Sequence, residues 1–229
     1  MKIFMSIISN IPLFKGLTIN QIEKIEKIAV KKKFKKGNLI FLENDKADGF
    51  YIVVQGKVKI YKISMEGKEQ ILHIFGHGEP FGEVSVFTGN VFPANAQALE
   101  ECSLIFFPRH AFIEFISRNI PVVLNMIGVL SMRLRQFTVQ IENLSLKKIP
   151  SRLAGYLLLL AQEQQSNQNI IYLNISKKQL ASLLGTIPET LSRIFSKMYD
   201  KKLIKVKGKN VKILDLEKLK KLSDYGRIE

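Results

Sequence analysis

The sequence predicts an α+β protein with three parts: an N-terminal β-jelly-roll barrel, a long dimerisation helix and a C-terminal winged helix-turn-helix. Three observations predict it. Short β-branched and aromatic runs punctuated by glycines fill residues 34–108. An unbroken seam of apolar residues with heptad spacing follows. Two short helical patterns joined by Leu184-Gly185, then a lysine-rich hairpin, close the chain.

Residues 1–33 read as helical. Thr18 is a plausible N-cap, and Ile22, Ile25, Ile28 and Ala29 follow at helical spacing. The texture then changes to candidate strands at Leu39–Leu42, Phe50–Val54, Lys57–Ile63, Gln70–Phe75, Ala94–Glu100 and Ser103–Pro108. Gly37, Gly49, Gly56, Gly67, Gly76 and Gly78 stand at the turns. After a short helix in "RHAFIEFISRN", a long one starts at Pro121, a residue tolerated at a first helical position. Val123, Ile127, Leu130, Leu134, Phe137, Ile141 and Leu144 alternate at spacings of four and three along it. A seam of that period suits a parallel homodimer better than a helix packed only on its own barrel. Pro150 in "SLKKIPS" interrupts the helix and marks a hinge. The expected divisions are 1–120, 121–146 and 147–229.

The net charge is +15, with a pI of about 9.8. It is uneven. Residues 1–146 hold 18 Lys and Arg against 13 Asp and Glu, whereas residues 147–229 hold 17 against 7. The smaller part is the more basic, which suggests a polyanion partner there. The single cysteine, Cys102, allows no intrachain disulfide and no iron–sulfur cluster within one chain; it reads as a core or edge thiol. The first residues lack the pattern of a secretion signal, and no apolar run approaches a membrane span. A cytoplasmic protein without membrane contact is expected.

The chemistry-bearing stretch is "GTIPETLSRIFSKM". Ser176 with Gln179 and Thr186 with Glu189 both read as capping boxes. Leu191, Ile194, Phe195 and Met198 form an inward stripe. Glu189, Thr190, Ser192, Arg193 and Lys197 then face outward, mostly near the N-terminus of the second helix, where this motif reaches base edges. Arg193 can donate twice to a guanine, Glu189 can accept from a cytosine amine, and Ser192 can do either. Lys177, Lys178, Lys207 and Lys209 suit phosphates, which set affinity and register. Pro188 sits in the first turn, where its missing N–H is no loss.

These features together resemble the cyclic-AMP receptor/FNR family of bacterial transcription regulators, over nearly the whole chain. "GFYIVVQGKVKIYK" and "GEPFGEVSVFTG" match its barrel, and Glu189-Thr190-Leu191-Ser192-Arg193 matches its reading-helix pattern E-T-x-S-R. The resemblance implies a cyclic-nucleotide-binding-like, effector-sensing barrel, a homodimer on double-stranded DNA, and RNA polymerase as partner if the protein activates. Ser192, and Pro188 where the cyclic-AMP branch carries an extra Arg, imply the FNR-like branch and a TTGA-type palindrome. Thr186 and Pro188 belong to the same implied DNA-binding set.

The resemblance also places an effector pocket at Gly82, Glu83, Val84, Pro93, Ala94, Phe137 and Thr138. Gly82-Glu83 keeps the family's glycine turn and ribose-binding Glu. Pro93-Ala94 replaces its phosphate-binding Arg-Ser pair, and no Arg lies in residues 1–108. A buried phosphate without a partner is costly, so cyclic AMP is not the expected signal. Phe137 and Thr138 replace two small hydroxyl residues, narrowing the pocket. Haem is a candidate instead, with His73 and His77 as possible ligands. "FPANA" and the FNR-like head resemble regulators that respond to nitric oxide or nitrosative stress, including those of the hybrid cluster protein. The competing readings are a cyclic-nucleotide-responsive regulator, a non-specific DNA-binding protein and an enzyme. No catalytic cluster in the sequence favours an enzyme.

Overall fold

The computed structural model describes residues 8–9, 11–88, 91–164 and 169–226. The first seven residues and the polar loop expected at 167–168 lie outside them. The chain forms two compact units, Met1–Leu134 and Arg135–Glu229.

In the first unit, helix α1 (Ile19–Ile28) starts at a reciprocal capping box between Thr18 and Gln21 and buries Ile22 and Ile25. Eight strands follow, in two antiparallel four-stranded sheets. Strands β1 (Val30–Phe34), β8 (Cys102–Pro108), β3 (Gly49–Gln55) and β6 (Pro80–Phe81) form one sheet in that order. Strands β2 (Leu39–Phe41), β7 (Asn95–Ala98), β4 (Val58–Ile63) and β5 (Glu69–Phe75) form the other. The jelly roll is filled by side chains of both sheets, among them Phe41, Val53, Val58, Phe75, Phe81 and Leu104, with Phe92 from the connection before β7. A short helix, α2 (Val84–Thr88), sits between β6 and β7.

One boundary departs from the sequence expectation. Val30–Lys33, read as helical, forms β1, an edge strand paired only with β8. Its three lysines are exposed, so neither face shows the alternation that normally marks a strand. Exposed lysines on an edge also block edge-to-edge pairing.

Helix α3 (Arg109–Ser117) packs Phe112 and Phe115 into a second cluster with Phe14, Ile25, Phe50 and Phe107. Helix α4 runs from Ile120 to Leu146 and crosses from one unit into the other. Of its side chains only Val122 and Met126 are buried. Ile127, Leu134 and Ile141, seven residues apart, are 54%, 69% and 64% exposed. Val123, Leu130, Phe137 and Leu144 are half-buried.

In the second unit, α5 (Ile149–Glu163) is followed by strand β9 (Ile170–Tyr172) and helices α6 (Lys177–Leu183) and α7 (Pro188–Asp200). A hairpin of β10 (Ile204–Lys207) and β11 (Asn210–Ile213) comes next, and α8 (Leu216–Tyr225) ends the described chain. β9 joins the hairpin on its β11 side. The order is that of a winged helix-turn-helix.

Gly56, between β3 and β4, has φ +88°. A Cβ there would lie 2.5 Å from the Glu101 carbonyl oxygen and 2.7 Å from Cys102 Sγ. Backbone conformation and clash therefore act together. Gly56→Ala is expected to lower the unfolding free energy by about 2–4 kcal/mol, measured by urea titration of the folded protein.

Candidate nucleic-acid interface and effector pocket

The helix-turn-helix is built from local signals. Ser176 caps α6 reciprocally: the Gln179 N–H donates to Ser176 Oγ at 3.2 Å, and the Ser176 N–H donates to Gln179 Oε1 at 2.7 Å. The helix closes through Gly185, at φ 69°. The Thr186 N–H donates back to the Ala181 carbonyl at 2.9 Å and the Gly185 N–H to that of Ser182 at 3.2 Å, the paired bonds of a Schellman turn.

The second expected capping box does not form. The N-cap of α7 is Ile187, not Thr186, and no side chain caps it. Pro188 explains the shift. It favours the first helical position, and its ring forces the residue before it to be extended; Ile187 has φ −105° and ψ 154°. Glu189 is therefore not consumed by a cap. It is exposed in the first turn, near the positive end of the helix dipole.

The two faces of α7 are cleanly divided. Leu191, Ile194, Phe195 and Met198 are buried. Glu189, Ser192, Arg193 and Lys197 are exposed, while Thr186, Pro188 and Thr190 are half-buried. Lys177 and Lys178 stand exposed at the start of α6, with Lys177 Nζ 5.7 Å from the centre of the Phe195 ring. In the hairpin, Lys205, Lys207, Lys209 and Lys212 are exposed, and Lys209 Nζ lies 5.7 Å from the Tyr172 ring centre. An acceptor, a hydroxyl and a guanidinium thus share the N-terminal half of one helix, with lysines on either flank. That set can pair with base edges and phosphates.

The barrel carries the second candidate site. Gly82 has φ 76°, and a Cβ on it would come within 3.1 Å of the Phe92 ring and 3.4 Å of the Phe41 ring. Those two rings stack on each other at 3.7 Å and 8°. Pro93 is exposed and Ala94 buried, and neither brings charge. Val84, on α2, is exposed. Phe137 and Thr138 belong to the other compact unit, half-buried and exposed respectively.

Glu83 is only 4% exposed. Its carboxylate accepts a charge-assisted hydrogen bond from Arg133 Nη1. Arg133 Nη2 donates to the Pro80 carbonyl at 2.7 Å, and the guanidinium lies 4.7 Å from the Phe75 ring centre. Beside this pair, burial pushes the Glu79 carboxyl up, but His73, the Gly76 N–H and Arg133 outweigh it, and the group ends below its ordinary value. His73 Nε2 lies 3.9 Å from Glu79 Oε1, with its ring edge-on to Phe75. His77 Nδ1 is 2.7 Å from the Val54 carbonyl oxygen. Among the described residues, no group of three or more His, Cys, Asp or Glu could hold a metal ion. Cys102 is buried and donates to the Lys57 and Glu100 carbonyls; burial pushes its thiol up, away from a reactive thiolate.

Residues 31–119 match the cyclic nucleotide-binding domain, and residues 151–222 match the Crp-like helix-turn-helix domain. The chain belongs to the Crp/Fnr family. Similar members include a CRP-like cAMP-activated global transcriptional regulator of Mycobacterium tuberculosis. It is 28% identical over 216 residues, covering 93% of this chain and 96% of that protein. The probable transcriptional regulator flp of Lacticaseibacillus casei is 29% identical over 90% of this chain and 93% of its own. Among solved structures, the c-di-GMP responsive global regulator CLP of Xanthomonas campestris superposes with a TM-score of 0.76 at 25% identity. That match covers 86% of this chain and all of CLP. The Crp/Fnr chain described here is accordingly a DNA-binding transcription regulator.

Two arginines of this Crp/Fnr regulator escaped sequence reasoning. Arg133 reaches Glu83 across 50 residues. The only signal was a basic residue set among apolar ones in "SMRLRQF". Arg152 sits in a helix start whose pattern shows only Pro150.

Breaking a buried ion pair leaves one charge uncompensated. Arg133→Met is expected to lower the unfolding free energy by about 3–5 kcal/mol, and adding Glu83→Gln should restore most of it. Denaturant unfolding of the three variants checks this as a double-mutant cycle.

Proposed function

We propose that this Crp/Fnr regulator works as a homodimer that reads a TTGA-type palindrome, under the control of a signal other than a cyclic nucleotide. The observation that carries the reading is the exposed Glu189–Ser192–Arg193 set on α7, released from helix capping and flanked by lysines.

Two half-sites about one DNA turn apart require two reading helices in fixed relation. The apolar face of α4 supports a second copy as the source of the other. Ile127, Leu134 and Ile141 recur at the seven-residue interval a parallel helix pair uses, and all three are exposed in the single chain.

Three features argue against a cyclic phosphate in the barrel. Neither Pro93 nor Ala94 carries a charge to meet it. The aromatic rings of Phe41 and Phe92 crowd the Gly82 turn. The Glu83 carboxylate is already engaged by Arg133. Haem remains part of the proposal through His73 and His77, and the visible spectrum of the purified protein tests it. A Soret band that shifts on adding nitric oxide supports it, and no Soret band after haem reconstitution removes it.

Arg193→Ala is expected to weaken binding to the palindrome by about 10- to 100-fold while leaving binding to random DNA unchanged. Footprinting and competition titration measure both, and equal wild-type affinity for random DNA would sink the specific reading. Ile141→Glu should convert a two-chain species into a single chain in analytical ultracentrifugation. A single-chain wild type at micromolar concentration would sink the dimer.

A further inference from the structure

The backbone between α4 and α5 is held by short-range hydrogen bonds only, from the Lys147 N–H to Asn143 O and from the Ser151 and Arg152 N–H groups to Lys148 O. Lys147 and Lys148 alone lie outside the two helices, and Lys148 is extended at φ −70° and ψ 156°. An open groove of about 520 Å³ lies beside it, lined by residues 145–150, Arg152, and Thr190 and Ile194 of α7. Direct packing between the junction and the reading helix is therefore sparse.

One side chain spans that space. Arg152 Nε is shared between the Asn143 carbonyl at 3.1 Å and the Lys147 carbonyl at 2.9 Å. Its Nη2 donates to the Leu144 carbonyl at 2.6 Å. Its Nη1 donates to the Leu184 carbonyl at 2.9 Å. The first three acceptors are carbonyls at or just beyond the C-terminal end of α4, and that of Asn143 also accepts from the Lys147 N–H at 3.1 Å. The fourth is the C-cap of α6, one residue before the Gly185 turn that launches α7. A cation between the negative ends of two helix dipoles is favourable at both. The guanidinium is planar and its donors are fixed relative to one another, so four carbonyls are held in one geometry; an ammonium on a flexible stem cannot hold them so.

We infer that Arg152 is a positioning residue for DNA reading, fixing the angle between the last turn of α4 and the turn that carries α7. Two half-sites are read together only if each α7 leaves its α4 at a set angle. The elbow angle therefore converts directly into the spacing between half-sites that the protein accepts. The proposal rests on the palindrome reading above.

The test compares full-length wild type, Arg152→Lys and Arg152→Gln. Binding is measured on the palindrome, on palindromes lengthened or shortened by one base pair between half-sites, and on a single half-site. Wild type should lose about tenfold or more in affinity on either change of spacing. Both variants should discriminate spacing by less than about threefold while holding the single half-site within about twofold of wild type. Variants that bind every site more weakly but keep the wild-type spacing preference overturn the positioning role and leave only a structural one. Failure of Arg152→Lys to fold, despite its retained charge and stem, also overturns it, because it assigns the residue to folding. A wild type that binds palindrome and random DNA alike strikes down the palindrome reading itself. A wild type that discriminates spacing alongside variants that do so equally strikes down Arg152 alone.

Discussion

The constraint on which the rest depends is the length of α4 against how little of it is buried. A helix of 27 residues that fully buries only Val122 and Met126 draws little support from its own chain's core. Helical propensity supplies little per residue, and most helix stability in proteins comes from packing an apolar face. The N-terminal third has such packing, in the cluster that includes Ile52, Phe107 and Phe112. Beyond it, the outward row of Ile127, Leu134 and Ile141 asks for a partner with the same period. The proposed dimer is thus tied to the stability of the helix. Whatever changes the pairing of α4 also changes how its last turn is presented.

Each compact unit holds its own stretch of α4 with an arginine. In the first unit the grip runs outward from the helix: Arg133 enters the barrel wall and meets a carboxylate and a carbonyl. In the second it runs toward the helix: Arg152 gathers three carbonyls at and just beyond the end of α4. The two differ in kind. A buried ion pair is sensitive to anything that competes for either charge. Four carbonyls on one guanidinium form a geometric clamp with no competing carboxylate among its acceptors.

The architecture was legible because its signals are local and periodic. Gly37, Gly56, Gly67 and Gly78 at turns, the helical period of α4 and the Ser176–Gln179 box each act within a few residues and reappear in the structure, whereas Gly49, expected at a turn, opens strand β3. What failed did so for physical reasons. Lys31, Lys32 and Lys33 carry no alternation because both faces of an edge strand meet water. Thr186 looked like a cap because Thr and Glu at that spacing usually make one; the fixed φ of Pro188 moved the helix start by one residue. Arg133 and Arg152 were hidden because their partners are carbonyls and a carboxylate brought in by the fold. A search for Arg confined to residues 1–108 could not reach a cation delivered from a helix.

That last point alters what Glu83 means. As a residue after a glycine turn it reads as a ligand-binding carboxylate. In the structure its carboxylate already has a cation, and the rings of Phe41 and Phe92 occupy the space against Gly82. A molecule that enters this part of the barrel must either displace Arg133 from Glu83 or bind without disturbing the pair. Displacement would leave Glu83 a buried carboxylate without its cation, which is costly.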